Sequence, residues 1–77
     1  MSKLPLVDAK TMEKILYRLG FEKRRQKGSH AFYRHIDGRT TTVPFHSSKE
    51  LARPLIRVIL NEINISIEEY NELINEF

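Results

Sequence analysis

Four consecutive residues, Lys27-Gly28-Ser29-His30, carry the groups in this chain best suited to handling a phosphate. An ammonium can offset charge that develops during a reaction. A glycine lets the backbone approach a bound group closely and offer its N–H. A hydroxyl can position a phosphate oxygen. An imidazole, with an ordinary pKa near ~6.5, can take or give a proton at neutral pH. Lys23, Arg24 and Arg25 lead into the stretch and extend its positive charge. By residue type alone this is a phosphate site within a basic patch. The plain alternative is a surface histidine on a solvated charged face.

Two further histidines compete for a role. His46, after Val43-Pro44-Phe45, reads either as a second acid–base group or as a loop histidine that orders the chain beyond Pro44, and the loop reading is favoured. His35 sits beside a turn and reads as exposed and inert. The three histidines are spaced by five and eleven residues, with no cysteine in the chain and no adjacent carboxylate. That matches no standard ligand pattern, so no metal and no other cofactor is expected.

A run of short elements must position these residues. Asp8 can cap a helix over residues 8–19, on which Met12, Ile15, Leu16 and Leu19 form one apolar stripe. Gly20 ends it, and Phe21 can fold back over the last turn. Residues 21–44 show no helical stripe and are rich in β-branched and aromatic residues. They divide into a strand at 21–25, a break or tight turn at Gly28-Ser29, a strand at 30–36 and a returning strand at 39–43. Asp37-Gly38 predicts a type I′ hairpin turn, with both central residues at positive φ. Pro44 stops the third strand by removing a ladder donor.

A second helix is predicted from Ala52 to Ile63, with Leu55, Ile56, Ile59, Leu60 and Ile63 on its apolar face and Pro54 in its first turn. Ser47 with Glu50 resembles a capping box and allows an earlier helical turn. Ser66 with Glu69 forms another, at the head of a shorter helix over 67–76. There Ile67, Tyr70, Leu73, Ile74 and Phe77 are spaced along one face. The result is one α+β domain over residues 1–77, with 66–77 a helical C-terminal extension. Its α-β-β-β-α order is that of the double-stranded-RNA-binding domain.

Composition sets the scale of any site. Seventy-seven residues, 40% of them hydrophobic, suffice for one layer of helices on a sheet but not for a deep enclosed pocket. The site should be shallow and open, which suits a polymer. Residues 1–39 hold ten Lys/Arg against four Asp/Glu, whereas residues 40–77 hold three against six. A one-sided basic patch is the footprint of a phosphate-backbone partner. The absence of cysteine excludes disulfides and fits a reducing compartment. The N-terminus has no long apolar run, so a cytoplasmic protein with no membrane association is expected.

Alternation leaves one question open. His30, Phe32 and Arg34 share one face of the second strand; Ala31, Tyr33 and His35 share the other. If Ala31 and Tyr33 meet the helices, Phe32 is exposed between a histidine and an arginine and can stack on a base. If Phe32 is core, a bulge near Ser29 must turn His30 outward.

Several motifs resemble one family. Lys3-Leu4-Pro5-Leu6-Val7 and Leu19-Gly20-Phe21 look like the opening of a HicA-type toxin. Arg25-Gln26-Lys27-Gly28-Ser29-His30 is similar to its central motif, and Thr42-Val43-Pro44-Phe45-His46 to its second. Lys49-Glu50-Leu51 and Leu55-Ile56-Arg57-Val58-Ile59-Leu60 resemble its closing helix. The likeness runs in order along nearly the whole chain. The chain departs from the pattern at Glu22-Lys23-Arg24, where members often carry more apolar residues. It departs again at Ala52-Arg53-Pro54, where many carry a glycine.

The resemblance implies a double-stranded-RNA-binding-like fold and a messenger-RNA ribonuclease. The histidine of Gly-Ser-His, here His30, would be catalytic, and a HicB-type antitoxin would bind over the site. RNA carries its own nucleophile in the 2′-hydroxyl. Metal-independent transesterification would therefore need His30 as base or acid and Lys27 for the developing charge. Gly28, Ser29 and His46 would give support around the phosphate. Lys23, Arg24, Arg25, Lys27, Phe32 and Arg34 are the candidate RNA contacts. The alternative is a non-catalytic RNA-binding module of the same fold, resting on the basic run and the element order.

Overall fold

The computed structural model describes residues 3–46 and 49–77. Helix α1, Ala9–Arg18, begins where Asp8 Oδ1 accepts the Thr11 backbone N–H at 2.8 Å. It ends in a Schellman arrangement. Gly20 takes φ +97°, its N–H donates to the Tyr17 carbonyl, and the Phe21 N–H reaches back to Leu16. Phe21 is buried over that last turn, as its position after the glycine predicts.

Strands β1 (Glu22–Lys27), β2 (His30–Arg34) and β3 (Thr40–Pro44) form an antiparallel sheet in the order β1-β2-β3. β1 reaches two residues past its predicted end, because Lys27 pairs with His30 across the turn. All six of its side chains are exposed. An edge strand needs little apolar surface, which accounts for Glu22-Lys23-Arg24 at this position. Between Lys23 and Arg25 the register slips by one residue, a β-bulge. Gly28-Ser29 forms a two-residue turn in which only Gly28 has positive φ, +59°, the pattern of type II′.

The second hairpin differs from prediction. Gly38 has φ +100° but Asp37 does not have positive φ, so the turn is not type I′. The Gly38 N–H donates to the His35 carbonyl and the His35 N–H to the Arg39 carbonyl, both at 2.9 Å. This is a three-residue loop closed by a left-handed glycine. The Asp37 carboxylate accepts from the Arg39 backbone at 3.1 Å and its guanidinium at 2.9 Å, and these bonds shape the loop from outside. β3 includes Pro44, which pairs with His30; on an edge strand its missing N–H costs no ladder bond.

Helix α2, Arg53–Ile63, starts at Ala52 with no side-chain cap and with proline in its first turn. Asn64 ends it at φ +58°, in place of a glycine, and the Ile65 N–H closes back on Leu60 at 3.2 Å. The predicted Ser47–Glu50 box lies partly outside the described residues. Helix α3, Ile67–Ile74, is capped by Ser66, whose Oγ accepts the Glu69 N–H at 3.0 Å. It stops two residues short of its predicted end. Tyr70 and Leu73 are buried, whereas Phe77, on the same predicted face, is 52% exposed.

The core lies between the helices and one sheet face. Ala31, Tyr33 and Val43 meet Met12, Ile15 and Leu16 of α1 and Ile56, Ile59, Leu60 and Ile63 of α2. Thr41, also buried there, donates to Glu62 at 2.8 Å. The segment before α1 joins the same core through Leu4 and Val7. It is held by the Leu51 N–H on the Val7 carbonyl, the Tyr70 hydroxyl on the Pro5 carbonyl and the Arg53 guanidinium on the Leu4 carbonyl. The α+β architecture of the double-stranded-RNA-binding type is therefore present, with the helices covering one sheet face and leaving the other open.

Candidate active site

Strand alternation decides what occupies the open face. Ala31 and Tyr33 are fully buried, so His30, Phe32 and Arg34 project the other way. Register adds the neighbours. Lys27 lies opposite His30, and Arg25 and Thr42 flank Phe32 from the two sides. Arg25, Lys27, His30, Phe32 and Thr42 line one shallow depression of about 320 Å³. The Arg25 guanidinium stands 5.2 Å from the centre of the Phe32 ring, a cation–π contact that holds the ring half-buried. Thr42 is the one lining residue that sequence reasoning passed over. Its position depends on the β2–β3 register, for which three consecutive threonines give no signal.

The bulge separates two cations that simple alternation would place together. Without it, Lys23, Arg25 and Lys27 would share a face. With it, Lys23 pairs with buried Tyr33 and turns toward the helices. There its Nζ is 2.9 Å from Glu13 Oε2 and 5.4 Å from the Phe45 ring centre. The bond to Glu13 holds its ammonium above the usual lysine range. Arg24, the extra residue of the bulge, contacts Glu22 at 3.4 Å and lies with Arg34 around a second hollow near the β2–β3 loop. The structure thus brings Arg25, Lys27, His30 and Phe32 together, sets Arg24 and Arg34 farther along the sheet, and removes Lys23 from the group.

The third strand delivers His46. The Phe45 N–H donates to the Ser29 carbonyl at 2.6 Å, and Ser29 Oγ lies 3.1 Å from His46 Nδ1. The His46 and His30 rings meet edge to face, with centroids 5.2 Å apart and planes at 85°. His35 takes no part. It packs edge-on against Phe21 at 5.1 Å and contacts Asp37 at the far end of the sheet. Gly28 has open space around the position of an added Cβ, so its glycine is required by φ and not by crowding.

A three-stranded antiparallel sheet backed by helices, with cationic residues and a histidine pair on its open side, places the molecule among small α+β proteins of the double-stranded-RNA-binding type. The family can be named: the model for the HicA toxin of bacterial toxin–antitoxin systems matches residues 9–65, and the chain belongs to that family. Membership makes it a toxin of the toxin–antitoxin kind, with an antitoxin partner and, in general terms, a nuclease role on RNA. No curated protein matches the chain. No helix among the described residues is long and apolar enough to cross a membrane.

Proposed function

We propose that this chain is a ribonuclease toxin that cleaves messenger RNA in the cytoplasm by metal-independent transesterification centred on His30. The observation that carries the reading is the placement of His30, exposed and beside Lys27, on the open sheet face within the stretch matched to the family. The 2′-hydroxyl attacks the adjacent phosphorus and the 5′-oxygen leaves, giving a 2′,3′-cyclic phosphate and a 5′-hydroxyl. His30 transfers a proton in this step. Lys27 offsets the charge of the phosphorane, and the Gly28-Ser29 turn lets the phosphate approach.

Phe32, braced by Arg25, offers a surface for one base, while Arg34 and Arg24 meet the strand farther along. A flat face of this kind suits an unpaired strand. A HicB-type antitoxin silences the toxin by covering Lys27 and His30, where acidic groups compete with phosphate.

The test pairs growth with chemistry. Expression of the wild type arrests growth, and the purified protein cleaves RNA in the presence of a chelator. His30→Ala, shown folded by circular dichroism, lowers cleavage by roughly 10²–10⁴-fold and abolishes arrest. Arrest that persists with folded His30→Ala removes His30 as the catalyst. Cleavage that requires an added divalent metal removes the mechanism. Binding of RNA without any cleavage by the wild type would leave a non-catalytic binding module.

A further inference from the structure

We infer that His46 is the second proton-transfer group of this site, dividing the two proton transfers of the reaction with His30, and that Ser29 is its positioning residue. The inference rests on the ribonuclease reading above.

Transesterification at RNA moves two protons. As the 2′-oxygen–phosphorus bond forms, the hydroxyl proton must go to a base. As the phosphorus–5′-oxygen bond breaks, the leaving oxygen must receive one from an acid. A neutral imidazole can do the first and an imidazolium the second. Each then ends in the other's starting state, and exchange with water resets both. A single histidine can serve only one of these tasks within one step. The open face offers His30, and its closest imidazole is that of His46, 5.2 Å away between ring centres.

The geometry of His46 is more than a loop needs for order. The backbone bond from Phe45 to Ser29 already ties the chain after β3 to the β1–β2 turn. The side-chain contact between Ser29 Oγ and His46 Nδ1 adds control of the ring itself. It occupies one nitrogen and leaves Nε2 for exchange with a substrate. Exchange at Nε2 requires Nδ1 to keep its hydrogen, and the Ser29 hydroxyl can accept it whether the ring is neutral or charged. A carboxylate in its place would favour the charged ring. Both rings belong to exposed residues, so one phosphate can reach both from the solvent side. Lys27 and Arg25 of β1 face the same depression as His30, and Lys49 and Glu50 stand around the far side of His46.

The experiment uses a ribo-oligonucleotide with one cleavable linkage, prepared both normally and with sulfur in place of the leaving 5′-oxygen. A thiolate leaves without a proton, so this substrate has no need of the acid. Cleavage rates are measured for the wild type and for His30→Ala, His46→Ala, His46→Gln, Ser29→Ala and Ser29→Thr. The first two proteins, on ordinary RNA, test the ribonuclease reading and report its failure separately. We expect both His46 variants to lose about 10²-fold or more on ordinary RNA. The sulfur substrate should restore cleavage to one histidine-to-alanine variant and not to the other, which also names the acid. Ser29→Ala should show a smaller loss with the same leaving-group response as His46→Ala, and Ser29→Thr should recover it. His46 variants within several-fold of wild type on ordinary RNA would overturn the inference. So would rescue of both histidine variants by sulfur, or of neither.

Discussion

At the scale of single residues, Glu13 shows how an ionisable group can belong to the fold and not to the site. It accepts a 2.5 Å bond from the Tyr33 hydroxyl and a 2.9 Å ion pair from Lys23. Burial opposes its ionisation more than any other single influence. The bonds from Tyr33 and Lys23 together outweigh burial and hold the carboxyl below its ordinary value of 4.5. Burial and the same carboxylate push the Tyr33 hydroxyl far up, so it stays protonated as a donor. A carboxyl whose folded value is depressed stabilises the fold above 4.5, and that contribution fades as pH falls through the folded value. Tyr33→Phe should therefore cost about 1.5–3 kcal/mol near neutral pH, the range for a hydrogen bond to a charged group. Denaturant titrations repeated well below pH 4.5 should show a smaller gap between variant and wild type. A gap of constant size would mean that the Tyr33 hydroxyl contributes equally whether or not Glu13 is ionised.

At the scale of elements, the two hairpins differ in their relation to the proposed site: the β1–β2 turn borders it, and the β2–β3 loop lies at the other end of the sheet. Each contains one positive-φ glycine with open space at its Cβ position, Gly28 and Gly38. Alanine at either therefore strains only the backbone, at about 1–2 kcal/mol. Their consequences should differ. Gly28→Ala disturbs the turn that holds Ser29 against Phe45 and His46, whereas Gly38→Ala lies beyond Arg34 at the other end of the sheet. Thermal unfolding should show similar losses for the two. Cleavage per folded molecule should fall for Gly28→Ala and hold for Gly38→Ala. Equal activity in both would show that the turn's shape has no bearing on the site.

At the scale of the whole molecule, charge and packing are segregated. The open sheet face is cationic. The end of the chain holds Glu68, Glu69, Glu72 and Glu76 with no Lys or Arg, on and just after α3. Segments on either side of the family-matched region hold one another, through Tyr70 on Pro5 and Asn71 on Lys3. Burial pushes the Tyr70 hydroxyl up to about 12; Arg53 lowers it and Glu50 raises it by smaller amounts.

The cationic face makes a salt-dependence prediction for RNA binding, measured on the His30→Ala protein to prevent cleavage. Lys27→Ala and Arg25→Ala should each reduce the slope of log affinity against log salt by about 0.7, the value for one phosphate contact on a single strand. Lys23→Ala should leave the slope unchanged, because its ammonium is already held by Glu13. An equal reduction for Lys23→Ala would place RNA on the helix side of the edge strand.

Much of this was legible in the residues alone, for a local reason. The helix starts at Asp8 and Ser66, the stop at Gly20 and the buried stripes of α1 and α2 follow from cap chemistry and a 3.6-residue period. Both act within a few neighbouring residues. The candidate stretch Lys27-Gly28-Ser29-His30 was legible too, because residue type and sequence adjacency define it. Tertiary structure decided which strand face is open: Phe is the more usual core residue, yet the helices bury Tyr33 and leave Phe32 on the open side. It decided that Lys23 leaves the basic face, because a bulge depends on pairing with a partner strand. And it decided that His46 belongs with His30. Seventeen residues separate Ser29 from His46, and only the closure of β3 beside β2 brings the two imidazoles together.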